Sequence, residues 1–123
     1  MAETEKRGFF GKLIGDKKRW RAYRARLRKL PAGYRTAVKE IEHYLFHFVP
    51  ADSDSMASMF EDLVDLFEQA VANKTPIREI VGDEPVEFAE SFAGNYTVSS
   101  FVTVQARKRL TEAIARAEKE VNR

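Results

Sequence analysis

Apolar residues recur at three- and four-residue spacing along most of the chain, and Pro31, Pro50, Pro76 and Pro85 cut it into helix-sized pieces. Proline ends helices or sits in their first turn, so its positions punctuate the pattern. The first segment covers about residues 16–30. Leu13, Trp20 and Leu27 are spaced by heptads, Tyr23 and Leu30 add a neighbouring stripe, and Asp16 is placed to cap the start. The second segment covers about residues 34–49. On a helical wheel Tyr34, Ala37, Val38, Tyr44, Leu45 and Phe48 gather around Ile41, the strongest helical face in the chain. The third covers about residues 53–73 and carries Met56, Met59, Phe60, Leu63, Val64, Phe67 and Val71. Asp52 or Ser53 would cap it and Asn73 would stop it.

Shorter pieces follow. Thr75-Pro76 opens a turn that Gly82 ends, and Asp83 precedes a short helix with Pro85 in its first turn. The last segment begins near Ser99 and runs to Val121, with a stripe of Ala106, Leu110, Ala113, Ile114, Ala117 and Val121. Residues 96–104 are rich in β-branched side chains. A lone strand would leave its backbone groups unpaired, so the pattern favours helix there. The predicted fold is all-α: five or six helices in one helical domain over residues 16–123, preceded by a basic arm at 1–15.

Composition narrows the chemistry. The chain has 123 residues, of which 44% are hydrophobic and 33% charged, which suits one globular domain. It contains no cysteine, which excludes disulfides, thiolate metal sites and cysteine nucleophiles. The polar start predicts no secretory leader, and no apolar run approaches the roughly 20 residues of a membrane span. A cytoplasmic protein is the expectation.

Charge changes the picture more. The net charge is only +2, yet residues 1–39 hold 13 Lys and Arg against 3 Asp and Glu, a balance of +10. Residues 40–96 hold 2 against 13, a balance of −11, and the rest of the chain is mildly basic. Either the basic helix folds onto the acidic Glu61, Asp62, Asp65 and Glu68, or one pole faces a partner. Arg19, Trp20, Arg21, Arg24, Arg26 and Arg28 interleave cations with an aromatic, as phosphate binding with base stacking requires. Trp20, Tyr23 and Leu27 nevertheless share a stripe suited to a core. The segment Phe9-Phe10-Gly11-Lys12-Leu13-Ile14-Gly15 has the character of an interfacial membrane helix, of an arm packed on the body or of an arm swapped in a dimer.

Glu40, His43 and His47 set a carboxylate and two imidazoles along one helix, a spacing that metals accept. The wheel turns both histidines away from Ile41 towards solvent, and no further histidine exists to complete a bundle site, so no metal is expected. Asp62 and Asp65 lie three apart, but paired carboxylates do acid–base work only where burial separates their pKa values, and this face reads as exposed. No glycine-rich phosphate loop or nucleophile elbow is present.

Several motifs coincide. Phe10-x2-Leu13-Ile14-Gly15-Asp16-Lys17-Lys18-x-Trp20-x2-Tyr23-x-Ala25-Arg26 leads into Leu30-Pro31-x2-Tyr34-Arg35, then Ile41-x2-Tyr44-Leu45-Phe46. Leu63-Val64-Asp65-Leu66-Phe67-Glu68, Val81-Gly82-Asp83-Glu84-Pro85-Val86-Glu87-Phe88 and Tyr96 follow. Together they resemble the domain of unknown function 1048 family over roughly residues 9–115. The resemblance implies an all-helical left-handed superhelix and genes placed beside PadR-like winged-helix regulators. It brings no catalytic residues, and the histidine pair is not part of the motif. The expectation is therefore a non-enzymatic helical interaction protein without cofactor or metal, accessory to such a regulator. Its contact surfaces would be the basic helix (Arg19, Trp20, Arg21, Arg24, Arg26, Arg28) and the acidic face (Glu61, Asp62, Asp65, Glu68). The partner would be a protein or a second copy, the Ala-rich C-terminal stripe and the Phe9-Phe10 pair offering apolar surface. Nucleic acid and a membrane surface are the alternatives for the basic helix.

Overall fold

Helix α1 (residues 17–28) opens the computed structural model, which describes residues 17–122. The proposed arm at 1–15, its Phe9-Phe10 pair and the Asp16 cap lie outside the described residues. After the break at Leu30-Pro31 come α2 (Ala32–Leu45), β1 (Phe48–Pro50), α3 (Ser53–Ala72), α4 (Ile77–Val81), α5 (Pro85–Ala93), β2 (Thr97–Ser100) and α6 (Val104–Val121). Among the described residues the fold is all-α but for one short two-stranded ribbon.

The wheel of the second segment is realised in α2, which buries Tyr34, Ala37, Val38, Ile41, Tyr44 and Leu45 and takes the centre of the molecule. Helix α6 packs along it in the opposite direction. Thr36 donates to Glu120 near one end, and Arg109 pairs with Glu40 nearer the other. Gly33 makes this crossing possible: a Cβ there would meet Val121 Cγ2 at 2.3 Å and the Ala117 carbonyl oxygen at 2.7 Å. The small residues of α6, Ala113 and Ala117, are fully buried. The Ala-rich stripe that reads as free surface in the sequence is thus covered by α2, which removes one ground for expecting self-association.

Helix α3 buries Met59, Phe60, Leu63, Val64 and Phe67 against the same centre. Asp52 caps it, its carboxylate accepting from the Ser55 amide at 2.6 Å. Lys74, just past its end, takes a left-handed backbone conformation with φ 57°. The described residues bury no polar or charged side chain, so the core is wholly apolar. The four tyrosines stitch its edge. Tyr23 donates to Glu42 at 2.8 Å, Tyr34 to the Thr75 carbonyl at 2.7 Å, Tyr44 to Glu90 at 2.8 Å and Tyr96 to Asp62 at 2.6 Å. Each phenol ring adds apolar contact while its hydroxyl joins two segments distant in sequence.

Two expectations need correction. The second helix does not continue to Val49, and residues 97–100 are a strand. Phe48–Pro50 is the partner that the lone-strand argument lacked. It pairs antiparallel with Thr97–Ser100, matching Phe48 with Ser100, Val49 with Ser99 and Pro50 with Thr97. The Phe101 amide donates to the His47 carbonyl and the Ala51 amide to the Tyr96 carbonyl, extending the pairing at both ends. Pro50 lacks an N–H and is tolerated at such an edge, where a bulge shifts the register. The last helix consequently starts at Val104, capped by Thr103, whose hydroxyl accepts from the Ala106 amide at 3.0 Å.

Candidate interaction surface

The basic helix and the acidic helix do meet, through two arginines. Arg19 forks onto Glu61, with Nη2 at 2.7 Å from Oε1 and Nε at 3.2 Å from Oε2, and its Nη1 reaches Asp54 at 2.7 Å. Arg26 forks onto Glu68 in the same way, at 2.6 and 3.2 Å, and also bonds Asp65. The fork geometry matches a planar guanidinium to a carboxylate. These hydrogen bonds, to Glu61 and to Glu68 first, hold both guanidiniums above their usual range. Arg19–Glu61 and Arg26–Glu68 have the same sequence separation, 42 residues. One heptad on α1 therefore faces one heptad on α3, so the two helices run parallel in a fixed register. Asp62 stands apart from this seam and accepts from Tyr96 on another element.

The other cations of α1 point elsewhere. Arg21, Arg24 and Arg28 are exposed and form no ion pair with any described residue. Trp20 and Tyr23 turn inwards: the Trp20 ring lies 5.2 Å from Phe60 and 5.6 Å from Tyr23, edge-on to the latter. Tyr23 is thus a core residue and Trp20 a partly buried one packed against the core, so neither ring stands out from α1 as a platform for stacking a base.

The histidines line a cleft of about 300 Å³ between α2 and the start of α6, with Glu40, Tyr44, Thr103, Gln105 and Arg109 among its walls. His43 is exposed, as the wheel indicates. His47 lies in the turn beyond α2, half-buried, its Nδ1 3.0 Å from the Tyr44 carbonyl. Glu40 pairs with Arg109 across the cleft at 3.3 Å. Among the described residues no three His, Asp or Glu side chains converge to hold a metal ion.

The sequence reading missed the ribbon end. Val98 is 71% exposed, Phe101 62% and Val104 78%, with Phe46 and Val49 also outside. All five lie in the ribbon or immediately beside it. Val49 and Ser99 are cross-strand partners, so they share a ribbon face, and Phe101 continues that face next to the His47 ring at 6.0 Å. The signal was present in Phe48-Val49-Pro50, a short β-prone run assigned to a helix end. At α4 and α5 lies a second, acidic hollow lined by Glu79, Asp83, Glu84 and Glu87. There a hydrogen bond with Glu84, reinforced by its charge, holds the Glu87 carboxyl above the usual range.

No described helix is long and apolar enough to cross a membrane. No curated protein and no solved structure matches the chain. A family model does match, over residues 11–115, which takes in every element but the end of α6. The chain belongs to that family, described as "Protein of unknown function (DUF1048)".

Proposed function

We propose that this protein is a non-enzymatic interaction module that docks a protein partner on its ribbon end, and that the partner is a transcriptional regulator of the PadR-like winged-helix kind. The observation that carries the reading is the set of large apolar side chains, Val98, Phe101 and Val104, left mostly in solvent beside Val49 and Phe46. The apolar core elsewhere is well covered, with Ile41, Leu63, Val64 and Phe67 showing no exposed surface. Apart from Val121 at the end of α6, the large exposed apolar side chains of the described residues gather at this one end, which favours a protein contact. A two-stranded ribbon also leaves free backbone edges to which a partner strand can add.

A role without catalysis is favoured by the state of the candidate acid–base groups. Glu61, Asp65 and Glu68 are engaged by Arg19 and Arg26, and Asp62 by Tyr96. The choice of a regulator as partner rests on the gene neighbourhood that the family resemblance implies. Co-expression of the chain with a PadR-like regulator from its own genome tests it. Co-purification should be abolished by Val98→Ser with Phe101→Ser and kept by Ala115→Ser on the exposed side of α6. A regulator that never co-purifies, or that binds the ribbon variant equally, overturns the proposal.

A further inference from the structure

Residues 17–29 contain eight Lys and Arg and no carboxylate. The structure divides them by direction. Arg19 and Arg26 close the seam with α3, whereas Lys17, Lys18, Arg21, Arg24, Arg28 and Lys29 are exposed without an ion pair to any described residue. Lys17, Arg21, Arg24 and Arg28 follow the four-three-four spacing that keeps side chains on one helical stripe. At about 1.5 Å of rise per residue the stripe is roughly 16 Å long. Helix α2 extends it. Arg35 Nη1 donates to the Arg28 carbonyl at 3.2 Å, and Lys39 stands exposed one turn further along.

A row of cations that no described carboxylate neutralises complements a regular row of anions. We propose that the outer face of α1, extended by Arg35 and Lys39, binds the phosphate backbone of duplex nucleic acid without reading its sequence. Three observations set this apart from neighbouring readings. Single-strand binders use aromatic platforms, and here Trp20 and Tyr23 pack on Phe60. Interfacial membrane helices insert an apolar face, and here Tyr23, Leu27 and Leu30 are buried in the core. The α3 carboxylates Asp54, Glu61, Asp65 and Glu68 pair with Arg19 and Arg26 in the seam, and among the described residues the cations of the outer stripe form no ion pair. Lys17, Arg21, Arg24 and Arg28 make the stripe one of cations alone, which suits phosphate positioning but not base recognition. The proposal is independent of the ribbon-end reading and is tested on the chain alone.

The experiment is fluorescence anisotropy of the full chain with two labelled duplexes of unrelated sequence, over a range of salt. The two should bind with equal affinity. If four phosphates are contacted, affinity should fall roughly a hundredfold between about 50 and about 200 mM salt. Arg21→Glu with Arg24→Glu and Arg28→Glu should reduce affinity more than tenfold and flatten the salt slope, with circular dichroism unchanged because none of the three packs in the core. Lys108→Glu, on α6, should change little. Failure to bind at low salt, a clear preference for one sequence, or unchanged affinity of the triple variant would each overturn the proposal. So would tighter binding to phosphatidylserine vesicles than to either duplex, which would assign the stripe to a membrane.

Discussion

Position 33 has no room for a methyl group. The added Cβ would fall within 3 Å of the Ala117 carbonyl oxygen and of the Val121 amide, both backbone atoms that cannot rotate away. Gly33→Ala should therefore push α2 and α6 apart and destabilise the protein by about 1–3 kcal/mol, seen as a lowered Tm in thermal melts. The tyrosines make a pH prediction. Tyr44 is pushed up to about 12, first by burial and then by its bond to Glu90, and Tyr96 to about 12, first by its bond to Asp62 and then by burial. Tyr23 is raised further, by burial first and Glu42 second. An unfolded tyrosine titrates near pH 10. These groups thus contribute stability fully below about pH 10, and it is lost as pH rises towards 12, because there the unfolded chain binds fewer protons. Urea denaturation should show a falling midpoint across that window. Tyr23→Phe with Tyr44→Phe should lessen the fall, and an unchanged alkaline slope would contradict the assignment. At this scale the sequence was informative about burial: Ile41, Leu63 and Ile114 sit in the core as their spacing requires. Hydroxyl partners such as Glu90 for Tyr44 depend on tertiary approach, which no local pattern encodes.

Among the elements, the α1–α3 seam and the ribbon respond differently to mutation. Exposed ion pairs contribute little, about 0.2–1 kcal/mol each, so the matched Arg19–Glu61 and Arg26–Glu68 forks act mainly to fix register. A double-mutant cycle on Arg26 and Glu68 should give a coupling near the upper end of that range, decreasing with salt. A coupling of zero would reduce the seam to incidental contact. In the ribbon, Val98→Ser with Phe101→Ser should cost less than about 1 kcal/mol, since both side chains are mostly in water already. The helices were legible because each presents one apolar face to a common centre, and α3 in particular matches its predicted stripe. The ribbon was not. Strand pairing joins residues some fifty apart, and the β-prone character of 97–100 has no meaning until Phe48–Pro50 is recognised as its mate. One consequence followed another: once residues 97–100 pair, α6 must start later, at Val104.

For the whole molecule, the near-zero net charge conceals a division of labour. Part of the basic segment neutralises α3 internally, part remains on the outer face of α1, and an acidic hollow persists at Glu79, Asp83, Glu84 and Glu87. The charge segregation was readable from the sequence. Which arginines pair inwards was not, because that depends on the parallel register of α1 and α3. The exposed apolar end stands apart from both poles in character, and it is the basis for regarding the protein as an interaction module. A photo-activatable cross-linker placed at Phe101, and separately at Ala115 as a control, tests that claim most directly in cells producing both proteins. Docking at the ribbon end predicts a covalent adduct with the winged-helix regulator from position 101 and none from position 115. Equal adducts from both positions, or none with the regulator from position 101, would contradict it.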